Sequence, residues 1–202
     1  MGKVVTAPKK RPAGQEKPKR RSPITRAEGE RRLIEAARQL IQTKPYSEVG
    51  VRDIAELADV NHGFVHNWFG SKNGLLLAVV RQQFLEIAET VQKAAPGTPA
   101  INFLDPTVTA ATRLVLWLDL EGVDTGGLFQ EMPILDALTQ RYIDIEGIDP
   151  SIARQAAIQA IAIGLGAGTF SPILGMTGHK DVMPVMALWR HIVELLSKYP
   201  PK

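Results

Sequence analysis

Residues 63–72 read GFVHNWFGSK: three aromatic rings, a histidine, an asparagine and a lysine within ten positions. Coiled as a helix, this stretch has two sides. Val65 and Phe69 are four apart and share a face, which Phe64 and Trp68 widen, while His62, Gly63, His66 and Asn67 fall on the opposite face. A helix of about two turns does not hold together alone in water, so the ring-bearing side needs partners. The preceding residues supply them. Thr25-Arg26-Ala27-Glu28 fits a capping box, followed by Leu33, Ile34, Ala37, Leu40 and Ile41 at helical spacing. Lys44-Pro45 ends that helix, because the residue before proline is pushed out of the helical region. A second helix over 51–58 turns Ile54, Ala55 and Ala58 inward, and after the break Asp59-Val60-Asn61 the asparagine caps a third helix over 62–69. Gly70-Ser71 then stops the chain, and Ser71 caps a long fourth helix from Lys72 to about Ala94.

Two short helices joined by three residues, braced by a third, form the helix-turn-helix arrangement, in which the later helix lies in the DNA major groove. His66 and Asn67 are short polar side chains suited to phosphate oxygens or base edges. Gly63 lets backbone come close to the duplex. Arg52, Asn61, His62 and Lys72 complete the set of candidate DNA contacts. The rings themselves read as core, and His62 with His66 lacks a third ligand for zinc.

Taken in order, Val51-Arg52-Asp53-Ile54-Ala55, Val60 and Gly63-Phe64-Val65-His66-Asn67-Trp68-Phe69-Gly70-Ser71-Lys72 with Leu75 resemble the DNA-binding domain of the TetR family of bacterial repressors. The resemblance spans about residues 25–80 and differs from the usual pattern at three points. Asp59 stands where the family has Gly in the turn, His66 where it has Tyr, and Gly50 where it has Ser or Thr before the second helix. Asp tolerates the left-handed backbone that the turn requires. The resemblance implies a homodimer and a helical ligand-sensing domain behind the reading head.

The rest of the chain is helical in pattern, so the expected fold is all-α: a three-helix reading head at 25–72 and a helical regulatory and dimerisation bundle at 73–202. Asp105-Pro106 and Asp149-Pro150-Ser151 are helix starts. A sixth helical region is expected over 128–145 with a kink at Pro133, and the last helix over 181–198 with Pro184 in its first turn. The small-residue run 156–168, with Gly164, Gly166 and Gly168, suits close helix approach. With Leu188, Trp189, Ile192, Val193 and Leu196 it is expected to build a four-helix seam between two subunits. A pocket for a largely apolar small-molecule effector is expected among the fourth to seventh helices, lined by Phe84, Trp117, Phe129, Met132 and Leu135, with Arg113 or Gln130 as polar anchor.

Composition closes off other classes. The chain has 202 residues, 45% hydrophobic and 22% charged, and no cysteine, so disulfides, thiolate metal sites and thiol nucleophiles are out. Its longest apolar run is too short to span a bilayer and its N-terminus does not read as a secretory signal, which leads to the expectation of a cytoplasmic protein. Residues 1–24 carry eight Lys or Arg against Glu16 alone, so the net charge of +3 hides a basic arm, read as disordered, on an acidic body. No phosphate loop, metal spacing or nucleophile motif is present: Gly164-Leu165-Gly166-Ala167-Gly168 lacks a preceding strand, and Asp144 and Glu146 read as solvated. A non-enzyme without cofactor or metal follows. The function expected is sequence-specific transcriptional regulation by a ligand-responsive repressor, bound as a homodimer to a palindromic operator in double-stranded DNA. The rival is an architectural DNA-binding protein that relies on its basic arm and answers to no small molecule.

Overall fold

Side-chain caps open half of the α-helices among the residues described by the computed structural model, which are 24–199 except 129, 172 and 177. The basic arm at 1–23 lies outside the described residues. Thr25 Oγ1 accepts from the Glu28 amide at 3.3 Å and opens α1, Arg26–Thr43. Only half of the capping box forms. Glu28 takes hydrogen bonds from Arg31 and Arg32 instead of reaching back, and these guanidiniums hold its carboxyl down to about 2. After a 3₁₀ turn at Tyr46–Glu48 come α2, Val51–Leu57, and α3, Gly63–Phe69. Ser71 Oγ accepts from the Gly74 amide at 3.0 Å and starts α4, Lys72–Lys93. Asp105 and Asp149 each accept an amide hydrogen bond at 2.8 Å at the starts of α5, Pro106–Leu120, and α7, Pro150–Phe170.

Two helices differ from the sequence expectation, both at a proline. Pro133 does not kink α6 but opens it, Pro133–Asp144, because its missing N–H is harmless at the first position. A separate 3₁₀ turn at Gly126–Leu128 precedes it. In contrast, α8 begins at His179 and runs to Lys198, so Pro184 lies inside the helix. The first turn closes through the Gly178 carbonyl, which accepts from Asp181 and Val182. Burial of Val182 and Trp189 on the same helix offsets the cost of the proline.

The buried side chains form two clusters. One gathers Leu33 and Ala37 of α1, Ile54 of α2, Val65 of α3, Leu75 and Val79 of α4, and continues into Leu114 and Leu118 of α5. The other joins Val91, Leu135, Leu138, Ala157, Trp189 and Val193. Helix α4 contributes to both and is the mechanical link between them. Each such Leu or Val contributes roughly 1.5–3 kcal/mol by leaving water. No strand occurs among the described residues, and no helix there is long and apolar enough to cross a membrane.

The glycines of α7 serve a purpose other than the one expected. A Cβ on Gly164 would overlap the Phe103 ring, and one on Gly168 the Phe103 carbonyl oxygen, so both make room for a residue of the same chain. Gly166 alone of the three faces open space. Trp189 and Val193 are likewise sealed into their own subunit's core and not into an intersubunit seam. The outer side of α8 holds Leu188, Ile192 and Leu196, which remain exposed.

Glu146 is not solvated as the sequence suggested: its side chain is 10% exposed and lies 3.4 Å from both Arg141 and Arg190. Arg141 is itself buried. Its guanidinium donates to the Ala94 carbonyl at 2.5 Å and the Ala95 carbonyl at 2.9 Å, with longer contacts to Val91 and Thr98. One α6 side chain thus ties the end of α4, through Val91 and the cap residue Ala94, to the loop that follows it.

Candidate nucleic-acid interface

The recognition element is assembled by burial on one side alone. Val65 is fully buried, Phe64, Trp68 and Phe69 are half-buried, and His62, His66 and Asn67 are exposed. Phe64 and Trp68 stack with their planes 3° apart and centroids at 4.4 Å, and the far edge of the indole fills the space above Gly29 of α1. The bend before α3 uses Asp59 at φ 52°, the left-handed conformation the sequence anticipated for it. Asn61 acts one position ahead of the cap: its Oδ1 accepts from the Gly63 amide at 2.8 Å, while His62 occupies the cap with no side-chain bond of its own. The carboxamide oxygen of Asn61 is therefore already engaged, which leaves its NH₂ for a partner. His66 Nδ1 lies 3.4 Å from the Gly70 carbonyl. A carbonyl only accepts, so this contact is a hydrogen bond when the proton is on Nδ1, which leaves Nε2 to meet another partner. Arg52 is exposed on α2.

The join between α3 and α4 is tight. A Cβ on Gly74 would overlap the Phe69 carbonyl oxygen, which belongs to rigid backbone. Gly74→Ala is expected to destabilise the protein by about 1–3 kcal/mol, read as a lower urea midpoint, while Asn73→Ala next to it leaves the midpoint within about 0.5 kcal/mol.

Four expected site residues have surroundings other than those anticipated. The Lys72 ammonium is not free at the helix start; it donates to the Tyr46 carbonyl at 3.3 Å and sits 5.8 Å from the centre of the Trp117 ring. Trp117 packs against Tyr46, with ring centroids 5.5 Å apart, and lies outside the cavity between the helices because its position on α5 faces the reading head. Arg113 is exposed on α5, where a guanidinium keeps its water, and Gln130 is also exposed. Phe129 lies outside the described residues. The cavity itself, about 260 Å³, is bounded by α4, α5, α6 and α7. Phe84, Met132 and Leu135 line it together with Ile87, Phe103 and Val115, and Thr112 and Glu131 bring the polar groups.

The family model described as bacterial regulatory proteins, tetR family, matches residues 33–79. The HTH-type transcriptional repressor Rv3405c of Mycobacterium tuberculosis is 30% identical over 160 residues, covering 77% of this chain and 80% of that protein. The chain belongs to the TetR family. A regulator of the same name type from Mycobacterium bovis, Mb3439c, shows the same identity and coverage. Among solved structures, a TetR-family regulator from Mesorhizobium loti superposes with a TM-score of 0.58 at 16% identity over 87% of this chain and 98% of that one. A regulator from Rhodococcus reaches 0.62 at 15% identity over 85% and 99%. At such identities the structures speak for the all-helical fold; the sequence relatives and the family match speak for DNA-binding transcriptional regulation. Within this TetR-family frame, sequence reasoning missed Arg141, Phe103 and Tyr46. None of them carries a periodic signal, since each acts on residues distant in the chain.

Proposed function

We propose that two copies of this chain form a homodimeric repressor that binds a palindromic operator, and that an apolar effector in the α4–α7 cavity releases it. One observation carries the reading: α3 seals Val65 and its rings into the head while His62, His66 and Asn67 stay in solvent. Gly63, Arg52 and the NH₂ of Asn61 flank that surface, and Lys72 braces it from α4. In this reading residues 25–72 are the reading head and 73–202 the regulatory part, with the basic arm at 1–24 adding sequence-independent attraction. Two heads occupy half-sites about 34–36 Å apart.

The family relationship and the exposed apolar residues of α7 and α8 support the homodimer. The effector reading rests on the cavity, which is just below the usual range of about 300–1,000 Å³ for small-molecule sites. A small uncharged effector suits such a lining. Val115 and Leu116 line the cavity directly before Trp117 in the chain, and Trp117 holds Tyr46 and Lys72. Displacement of α5 would thus be passed to the head through these three side chains. A coupling of about 1–3 kcal/mol changes operator affinity 5- to 150-fold. Trp117→Leu is expected to keep operator binding within about threefold but to reduce effector-driven release to less than a third of the wild-type factor.

The deciding experiment selects genomic fragments with the purified protein, then titrates the selected site with wild type and with a His66→Ala, Asn67→Ala double variant at fixed salt. The variant should lose at least about tenfold in affinity, given roughly 1–3 kcal/mol for each good base contact, and its far-UV CD and dimer mass should be unchanged. Equal binding by the variant, or no preferred fragment at all, defeats the reading. The architectural rival predicts that deletion of residues 1–24 abolishes all binding; the repressor reading predicts a smaller salt slope with the sequence preference retained.

A further inference from the structure

A second, more open depression of about 560 Å³ lies on the other side of Phe103 from the effector cavity. Ile101 and Phe103 line both and form the wall between them. They belong to the segment 95–104 that joins α4 to α5, and Phe103 is fixed in place because it fills the space left by Gly164 and Gly168. The opposite wall is α8, through Met183, Met186 and Arg190, and the floor is α6, through Leu138 and Tyr142. On α8, Met183, Ala187 and Arg190 share one side, and Leu188, Ile192 and Leu195 lie on the other. A partner that covers the exposed leucine side leaves this groove open.

Three features of the groove define its ligand. Its charges are internally balanced: Glu146 is shared by Arg141 and Arg190 at 3.4 Å, and Arg190 also meets Glu194 at 3.3 Å, so two guanidiniums face two carboxylates. His179 adds an imidazole at the exposed rim, where solvent screens it. Much of the remaining lining is apolar, and burial, with the Glu146 charge as second cause, pushes the Tyr142 phenol up, so that group stays neutral. Two buried donors here lack a hydrogen bond: Arg141 Nε, which has the Glu146 carboxylate 3.4 Å away, and one indole N–H with no acceptor near it. Trp189 lines the groove, is itself more than nine-tenths buried, and its indole Nε1 has no hydrogen-bond partner. A buried N–H without an acceptor costs free energy that a ligand oxygen would recover.

We propose that this groove is a second ligand site, distinct from the effector cavity, that takes an uncharged, largely apolar molecule bearing a carbonyl oxygen, held by a hydrogen bond from Trp189 Nε1 once a shift of the side chains that now cover it opens it to the groove. The site does not depend on the effector reading. A charged head would have to break into the Arg141–Glu146–Arg190 set, and a hydrocarbon would leave the indole N–H unpaired.

The test uses three probes of one shape: naphthalene, 2-acetylnaphthalene and 2-naphthoate. The full chain holds only Trp68, Trp117 and Trp189, so a ¹⁵N-labelled sample shows three indole N–H signals, and the Trp189→Phe variant identifies the third. The ketone should move the Trp189 indole proton downfield in a saturable way, with naphthalene and naphthoate moving it far less. Calorimetry should rank the ketone tightest, and Trp189→Phe should weaken the ketone about three- to tenfold while changing naphthalene less than twofold. Val115→Phe, which fills the effector cavity, should leave the ketone's effect on Trp189 intact. The proposal is overturned if the ketone does not bind, if it binds without moving the Trp189 signal, if naphthalene moves that signal equally, or if Val115→Phe abolishes the shift. The last outcome would place the ketone in the effector cavity and leave the effector reading standing. Loss of effector response in Val115→Phe with the Trp189 shift retained would support both sites.

Discussion

Arg141→Leu is expected to lower the unfolding midpoint by roughly 6–20 °C. The estimate combines about 3–5 kcal/mol for breaking a buried charge network with about 2–4 °C per kcal/mol for a chain of this size. The Arg141 side chain is 1% exposed; its two terminal nitrogens donate to four backbone carbonyls, and its Nε forms an ion pair with Glu146 at 3.4 Å without a hydrogen bond. Leucine fills much of the volume but removes the side-chain donors from the partly buried Val91 and Ala94 carbonyls at the end of α4, and leaves Glu146 to Arg190 alone. The loss lies in the orphaned partners more than in the missing attraction. Arg141→Lys retains the charge but not the fork of donors, so it should recover less than half of the loss. A control sets the scale: Arg154 and Asp136 are closer, at 3.0 Å, yet both are exposed, and Arg154→Leu should shift the midpoint by no more than about 2–4 °C. Thermal denaturation followed by CD at one pH and salt decides the matter. Equal shifts for Arg141→Leu and Arg154→Leu would show that burial does not govern this site.

Arg141 also marks where sequence reading stops. Features that act within one helical turn were legible: Ser71 and Asp105 as caps, the end of α1 before Pro45, Asp59 in the left-handed turn, and the two-sided character of α3. Each rests on backbone geometry or on side chains three or four residues apart. Arg141, by contrast, meets residues 43 to 50 positions away, and nothing in RYID distinguishes a buried guanidinium from a surface one. The glycines of α7 were recognised as markers of close approach, but the approaching group, Phe103, stands in a stretch without periodicity. Pro184 misled for a different reason. The start of α8 has no side-chain cap, since Gly178 offers none, so the proline was the only local landmark, and it lies inside the helix. Lys72 and Trp117 were both singled out, yet their meeting with Tyr46 depends on how α5 docks on the head, which no local pattern encodes.

The outer face of α8 carries the second large effect. On the proposed homodimer, a Leu188→Glu, Ile192→Glu double variant is expected to sediment as a monomer at concentrations where the parent sediments as a dimer, and to lose about 100- to 10,000-fold in affinity for the selected DNA site. Leu188 is 63% exposed and Ile192 47% exposed in the single chain, on the same face as Leu195 and Tyr199. On α7, Ile158, Gly166 and Phe170 repeat at helical spacing on a face that its own subunit leaves uncovered or partly covered. A contiguous apolar surface of this kind calls for a partner, and an isologous contact places the same residues on both sides. Two glutamates from each copy would then meet across the axis, so four buried like charges oppose association. DNA affinity falls with them because the second head binds as part of the same molecule only while the dimer holds. The fold of each copy should survive, since neither side chain belongs to its buried clusters: the denaturation midpoint extrapolated to low protein concentration should match the parent's within a few degrees. Had Trp189 or Val193 been chosen from the same helix, unfolding and dissociation could not be told apart, because both are core residues. A double variant that stays dimeric assigns the interface elsewhere; a monomer that binds the operator as tightly as the parent removes the need for two heads.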